Sequence, residues 1–184
     1  EGHDVSTSQP SPGDVMDMWK QILSKGYDEI IHIPMSSGLS SSCATAIGLA
    51  EDFQGKVQVA DNHRISVTMR IAVMEALHMA NEGRSAREIR EDLEKRAYDS
   101  SIFLAVDDLK YLKNGGRITP AAAALGTVFH IKPVLTIQGE KLDAFAKTRG
   151  MKKAKAIMLK ALKEDLEKRF PGIDSKYVRI GAAG

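Results

Sequence analysis

Apolar positions along the chain switch repeatedly between a helical and an extended period. Val15, Met18, Trp19, Ile22 and Leu23 recur at helical spacing. They follow Ser11-Pro12-Gly13-Asp14, in which serine suits an N-cap, proline the first helical position and aspartate the positive end of the helix dipole. Lys25-Gly26 stops that helix. Residues 29–33 are a short apolar run suited to a buried strand, ended by Pro34 before the serine-rich loop Ser36-Ser37-Gly38-Leu39-Ser40-Ser41-Ser42. A helix through Ala44, Ile47 and Ala50 follows, then a second strand over 57–60 and a long, methionine-rich helix over 65–81, closed by Gly83. Ser85 and Glu88 form a capping box for a helix carrying Ile89 and Leu93, and Ile102-Phe103-Leu104-Ala105-Val106 reads as a third strand.

Strands that are nearly continuous in apolar residues and alternate with helices indicate an α/β fold, with a mostly parallel sheet flanked by helices. Ligands of such sheets gather at the carboxyl ends of the strands, where the serine loop begins. The pattern changes at Asn114-Gly115-Gly116-Arg117, where two glycines break a short helix through Leu109 and Leu112, and Thr119-Pro120 starts another. Residues 131–137 and 141–147 read as a hairpin around Gln138-Gly139-Glu140. An amphipathic helix with Ala154, Ile157, Met158, Ala161, Leu162 and Leu166 on one face comes next, and 177–182 reads as a last strand. A new subdomain is expected to begin near Asp107, dividing the chain into 1–106 and 107–184.

Composition narrows the function classes. The 184 residues are 43% hydrophobic, enough to bury a core. Lys and Arg number 26 against 24 acidic residues, and a net charge of +2 gives no electrostatic argument for nucleic acid or a membrane surface. The single cysteine, Cys43, excludes an internal disulfide and a cysteine zinc cluster, which fits a cytoplasmic setting. No apolar run approaches the roughly 18 residues of a spanning helix, so no integral membrane segment is expected.

Hydroxyls donate hydrogen bonds without carrying charge, so converging Ser and Thr side chains with loop amides can hold a carboxylate or phosphate. The same serines can equally form a polar turn that caps the next helix. The loop lacks the Gly-Lys-Ser/Thr ending of a P-loop and the Gly-x-Ser-x-Gly frame of a hydrolase elbow. Arg149, with Lys147, Lys152, Lys153 and Lys155, crowds a helix N-terminus with positive charge; either a bound anion relieves this or the face is simply solvated. Arg117 is a ligand or domain-contact arginine, or a loop surface charge. The histidines His3, His32, His63, His78 and His130 show no metal-ligand spacing, and His32, between Ile31 and Ile33, suits a hydrogen-bonded strand residue. Asp107-Asp108 suits a cation or the opening of a helix, and Met74, Leu77 and Met79 suit core packing or a pocket for a flexible chain.

Four motifs carry a resemblance: Thr7-Ser8-Gln9-Pro10-Ser11, Ile33-Pro34-Met35-Ser36-Ser37-Gly38-Leu39-Ser40, Asp107-Asp108-Leu109-Lys110-Tyr111-Leu112-Lys113-Asn114-Gly115-Gly116-Arg117-Ile118 and Ile131-Lys132-Pro133. In order and separation they resemble the bacterial DegV family. The resemblance implies two α/β subdomains with a long-chain fatty acid such as palmitate, stearate or oleate between them. It implies no other cofactor and no catalytic or metal residue. Several members are the non-catalytic, lipid-binding subunit of a fatty acid kinase, whose separate ATP-dependent partner phosphorylates the bound acid. Matched residue by residue, the family's carboxylate-binding threonine falls on Thr7 and its loop serine on Ser40. Ser36 and Ser37 shape the same loop, and Arg117 and Arg149 match arginines near the ligand mouth. Two positions depart from the pattern: Ser41 stands where glycine is usual, and Asp61-Asn62 where Asp-Ser is usual. The family is longer at both ends, and the chain lacks its acidic first-strand motif and late histidine. The competing reading is a stand-alone enzyme, a serine-dependent hydrolase or phosphotransferase using the same loop.

Overall fold

The computed structural model describes residues 6–125, 131–138 and 141–182. The chain forms two compact units, one built on Thr7–Ser100 and the other on Ser101–Ile180. Among the described residues are seven α-helices, a parallel strand pair and an antiparallel three-stranded sheet, the mixed α/β class that the periodicity predicts.

In the first unit, α1 (Pro12–Ser24) starts as its sequence requires, with the Asp14 N–H donating to Ser11 Oγ at 3.2 Å and Pro12 in the first turn. Strand β1 (Ile30–His32) pairs in parallel with β2 (Val57–Val59), in the register Ile30 to Val57 and His32 to Val59. Both faces of this pair are covered. On one side Ile30, Val57 and Val59 bury against Trp19 of α1 and Ala46 of α2 (Ser42–Ala50). On the other, Ile31 and Ile33 pack on Ala72, Ala76 and Met79 of α3 (Ser66–Asn81) and Ile89 and Leu93 of α4 (Ala86–Lys95). Burial on both sides is why these strands read as nearly continuous apolar runs, broken by His32 and Gln58. The expected capping box is formed in full: the Glu88 N–H donates to Ser85 Oγ at 3.3 Å, and the Ser85 N–H donates to Glu88 Oε2 at 2.8 Å.

Some side chains face otherwise than their spacing predicts. Ile47, Met74 and Leu77 are 46%, 55% and 56% exposed, so Met79 alone of the methionine-rich trio joins the core. Small residues take the inner helix faces instead: Cys43 and Ala46 in α2, Ala72 and Ala76 in α3. They let the helices approach the strands closely.

The run at 102–106 leaves the parallel pair. As β3 (Ile102–Ala105) it lies antiparallel to β4 (Lys132–Ile137), with Ile102 opposite Ile137 and Leu104 opposite Leu135. An apolar run defines a buried strand but not its partner, and here the free edge of a hairpin supplies one. That hairpin, β4 with β5 (Asp143–Thr148), forms as predicted, with an irregularity between Val134 and Leu135. Helix α7 (Met151–Lys168) packs on this sheet through Ala154 and Ala161. Two short helices, α5 (Lys110–Asn114) and α6 (Pro120–Leu125), precede the hairpin. The last predicted strand does not form among the described residues: Ser175–Tyr177 is a 3-10 turn, and Tyr177 and Ile180 are 68% and 70% exposed. β-propensity makes a strand only where a partner edge is available.

Trp19 Nε1–H donates to His32 Nδ1 at 3.4 Å, and the rings meet edge to face with centroids 5.4 Å apart. Burial holds the His32 pKa below its ordinary 6.5. The unfolded chain therefore binds a proton that the folded chain resists, so stability from neutral His32 is complete above pH 6.5 and declines as pH falls below it. Urea unfolding at about pH 7.5 and about pH 5.5 should show a loss on the order of 1 kcal/mol in the wild type and a smaller one in His32→Gln, which keeps an acceptor for Trp19.

Candidate functional site

The carboxyl ends of β1 and β2 run into two turns that are stitched to each other. The Ala60 N–H extends the ladder to His32 O at 2.9 Å, after which the Ser36 N–H donates to Arg64 O at 3.1 Å and the Ser37 N–H to Asp61 Oδ1 at 3.3 Å. Ser36 is fully buried and organises the loop: its carbonyl accepts from Leu39 and Ser40 N–H, and its Oγ from the Gly38 N–H. Ser37 is exposed and Ser40 half-buried, so the loop presents hydroxyls above a fixed backbone. Ser40 Oγ accepts from the Ser42 N–H at 3.2 Å and donates to Ser42 Oγ at 3.0 Å, so the capping reading of the serines is realised at this position.

Asp61 is the centre of the stitching, and its role was not legible in the sequence. Besides Ser37 it accepts the His63 N–H at 3.4 Å, and its own N–H donates to Glu94 Oε1 at 3.3 Å. Burial pushes the Cys43 thiol up to about 12, reinforced by the nearby Asp61 and Glu94 charges, so it stays protonated. His63 holds a left-handed φ of 52° and stacks on Tyr98 at 5.2 Å. Below the turn, the buried Arg64 donates from Nη2 to Arg96 O at 2.7 Å, while Arg96 pairs with Glu75 at 3.2 Å and with Asp92. Asn62 Oδ1 accepts the Arg64 N–H at 3.3 Å, but Asn62 Nδ2 and Arg64 Nε are buried without partners. Unmet donors of this kind cost roughly 1–3 kcal/mol each, and here they lie directly beneath the loop.

The Thr7 segment reaches the same helix. Thr7 is exposed, and two residues on, Gln9 Oε1 accepts hydroxyls from Ser41 and Thr45, each at 3.2 Å. The structure thus brings the Thr7 segment, Ser36, Ser37 and Ser40 to one end of the parallel pair. Arg117 and Arg149 belong to the second unit. Arg117 Nη1 donates to Gly115 O at 2.8 Å, folding the guanidinium back over the glycine pair. Arg149 is exposed between β5 and α7, next to Gly150 with φ 86°. Asp107 pairs with Lys132 at 2.6 Å and Asp108 accepts the Lys110 N–H at 2.7 Å, so these acids have local roles. Among the described residues no group of acids, histidines and cysteine has metal-site geometry, and no helix is long and apolar enough to cross a membrane.

Neutral hydroxyls at the start of α2 thus lie at the carboxyl ends of two parallel strands, where ligands of α/β proteins gather. The family model described as an uncharacterised protein of the DegV family matches residues 1–172, and the chain belongs to that family. A DegV domain-containing protein of Deinococcus radiodurans is 35% identical over 151 residues, which are 82% of this chain and 53% of that protein. The fatty-acid-binding DegV family protein of Thermus thermophilus superposes with a TM-score of 0.78 at 34% identity, over 89% of this chain and 58% of its own. A stearic acid-binding protein of Eubacterium ventriosum gives a TM-score of 0.78 at 25% identity, over 89% and 57%. The chain therefore spans little more than half the length of these relatives.

Asp61 is expected to hold the loop closed and the thiol shielded. Asp61→Ala should cost about 1–3 kcal/mol of stability and expose Cys43 to iodoacetamide, which should label the native wild type slowly if at all. Equal labelling rates in the two proteins would contradict this account.

Proposed function

We propose that the chain binds a long-chain fatty acid, with the carboxylate held by the hydroxyls of Thr7 and Ser40 on a loop shaped by Ser36 and Ser37. Membership of the DegV family over 1–172 carries this reading, together with relatives whose bound ligands are fatty acids. The chemistry is consistent: each methylene of an acyl tail gains about 0.8 kcal/mol on burial, whereas an unpaired buried carboxylate is very costly, so the head needs donors and the tail needs only apolar walls. Hydroxyl donors satisfy a carboxylate without adding cations that would themselves need pairing.

On this reading the protein is a cytoplasmic carrier rather than an enzyme, and it presents the acid to a separate ATP-dependent kinase that forms the acyl phosphate. An exposed carboxylate head held by exchangeable hydrogen bonds suits transfer to a second active site better than a fully enclosed one.

Native mass spectrometry of the purified protein, followed by extraction of bound small molecules, tests the ligand class. A C16 to C18 acid should be recovered from the wild type and lost in the Thr7→Ala, Ser40→Ala double variant. Recovery of the same acid in equal amount from the double variant would move the carboxylate site elsewhere. Absence of lipid even after incubation with palmitate, stearate and oleate would overturn the binding reading for this chain.

A further inference from the structure

Ser41 stands at the N-cap of α2 with helix-like backbone angles, φ −67° and ψ −7°, and its hydroxyl caps no first-turn N–H. Its hydroxyl donates instead to Gln9 Oε1, 32 residues earlier in the chain, and the Thr45 hydroxyl one turn along the helix donates to the same oxygen. One carbonyl oxygen receiving two hydroxyl protons uses both of its lone pairs, so the amide has a single orientation. Gln9 is half-buried and lies two residues after Thr7, on a segment whose next landmark is the Ser11 cap of α1.

We infer that Gln9 is a positioning residue of the carboxylate site. It pins the segment carrying Thr7 against the start of α2 through the Ser41 and Thr45 hydroxyls. The inference rests on the fatty-acid reading of the site. It adds a residue whose action runs through Ser41 and Thr45 rather than through contact with the acid.

The test uses the full chain and compares palmitate with hexadecanol, each displacing a fluorescent acyl probe, because only the acid carries the charged head. Gln9→Ala should weaken palmitate binding roughly ten-fold or more and hexadecanol binding less than about two-fold. Adding Ser41→Ala and Thr45→Val to Gln9→Ala should cost no more than a further factor of about two, since the hydroxyls have already lost their acceptor. Unchanged palmitate binding, equal losses for acid and alcohol, or fully additive losses would each overturn the inference. If the wild type binds no fatty acid, the carboxylate reading itself fails. The tether is then judged by hydrogen exchange of the amides around Ser8 and Gln9: faster exchange in Gln9→Ala upholds it, and unchanged exchange overturns it.

Discussion

The parallel pairing of Ile30–His32 with Val57–Val59 is the constraint on which the first unit depends. Two strands of three residues cannot be stable by themselves. They persist because α1 and α2 cover one face and α3 and α4 the other. Parallel direction brings both carboxyl ends to the same side, so the turn after β1 and the turn after β2 must meet. The Ser36 to Arg64 and Ser37 to Asp61 hydrogen bonds are the result, and the serine loop has its shape because of them.

The loop combines neutral donors above with charge below. Asp61 and Glu94 put negative charge next to the thiol of Cys43, while Arg64 and Arg96 are engaged by Arg96 O, Glu75 and Asp92. Both guanidinium groups therefore donate to protein partners, although Arg64 Nε itself has none. What remains at the surface of the loop is a set of uncharged hydroxyls and amides, which can donate hydrogen bonds without forming an ion pair.

Much of this organisation was legible in the sequence because it is local. The Ser11 and Ser85 caps, the hairpin and the amphipathic α7 are dictated by residues within a few positions of one another. The position of the serine loop followed from the strand before it. Partner choice was not legible: Ile102–Ala105 has the apolar character of a parallel strand but pairs antiparallel with β4, and 177–182 has strand propensity without an edge to join. Nor was the direction of Ile47, Met74 and Leu77, because small residues in α2 and α3 claim the inner faces. At the site, Thr7, Ser36, Ser37 and Ser40 were marked by motif, whereas Asp61 entered only as a departure from the family pattern and Gln9 only as a motif letter. Their roles depend on contacts across 24 and 32 residues, which no local pattern encodes.

Those separations also bear on how the chain is made. Ser37 is tied to Asp61, and Asp61 in turn to Glu94, 33 residues further on. Closing loops of this length carries an entropic cost that must be met before the contacts repay it. During synthesis the helices α1 and α2 can form as they leave the ribosome, but the serine loop lacks its supports until α4 has emerged as well. The segment bearing the hydroxyls is thus translated well before the partners that give it its final shape.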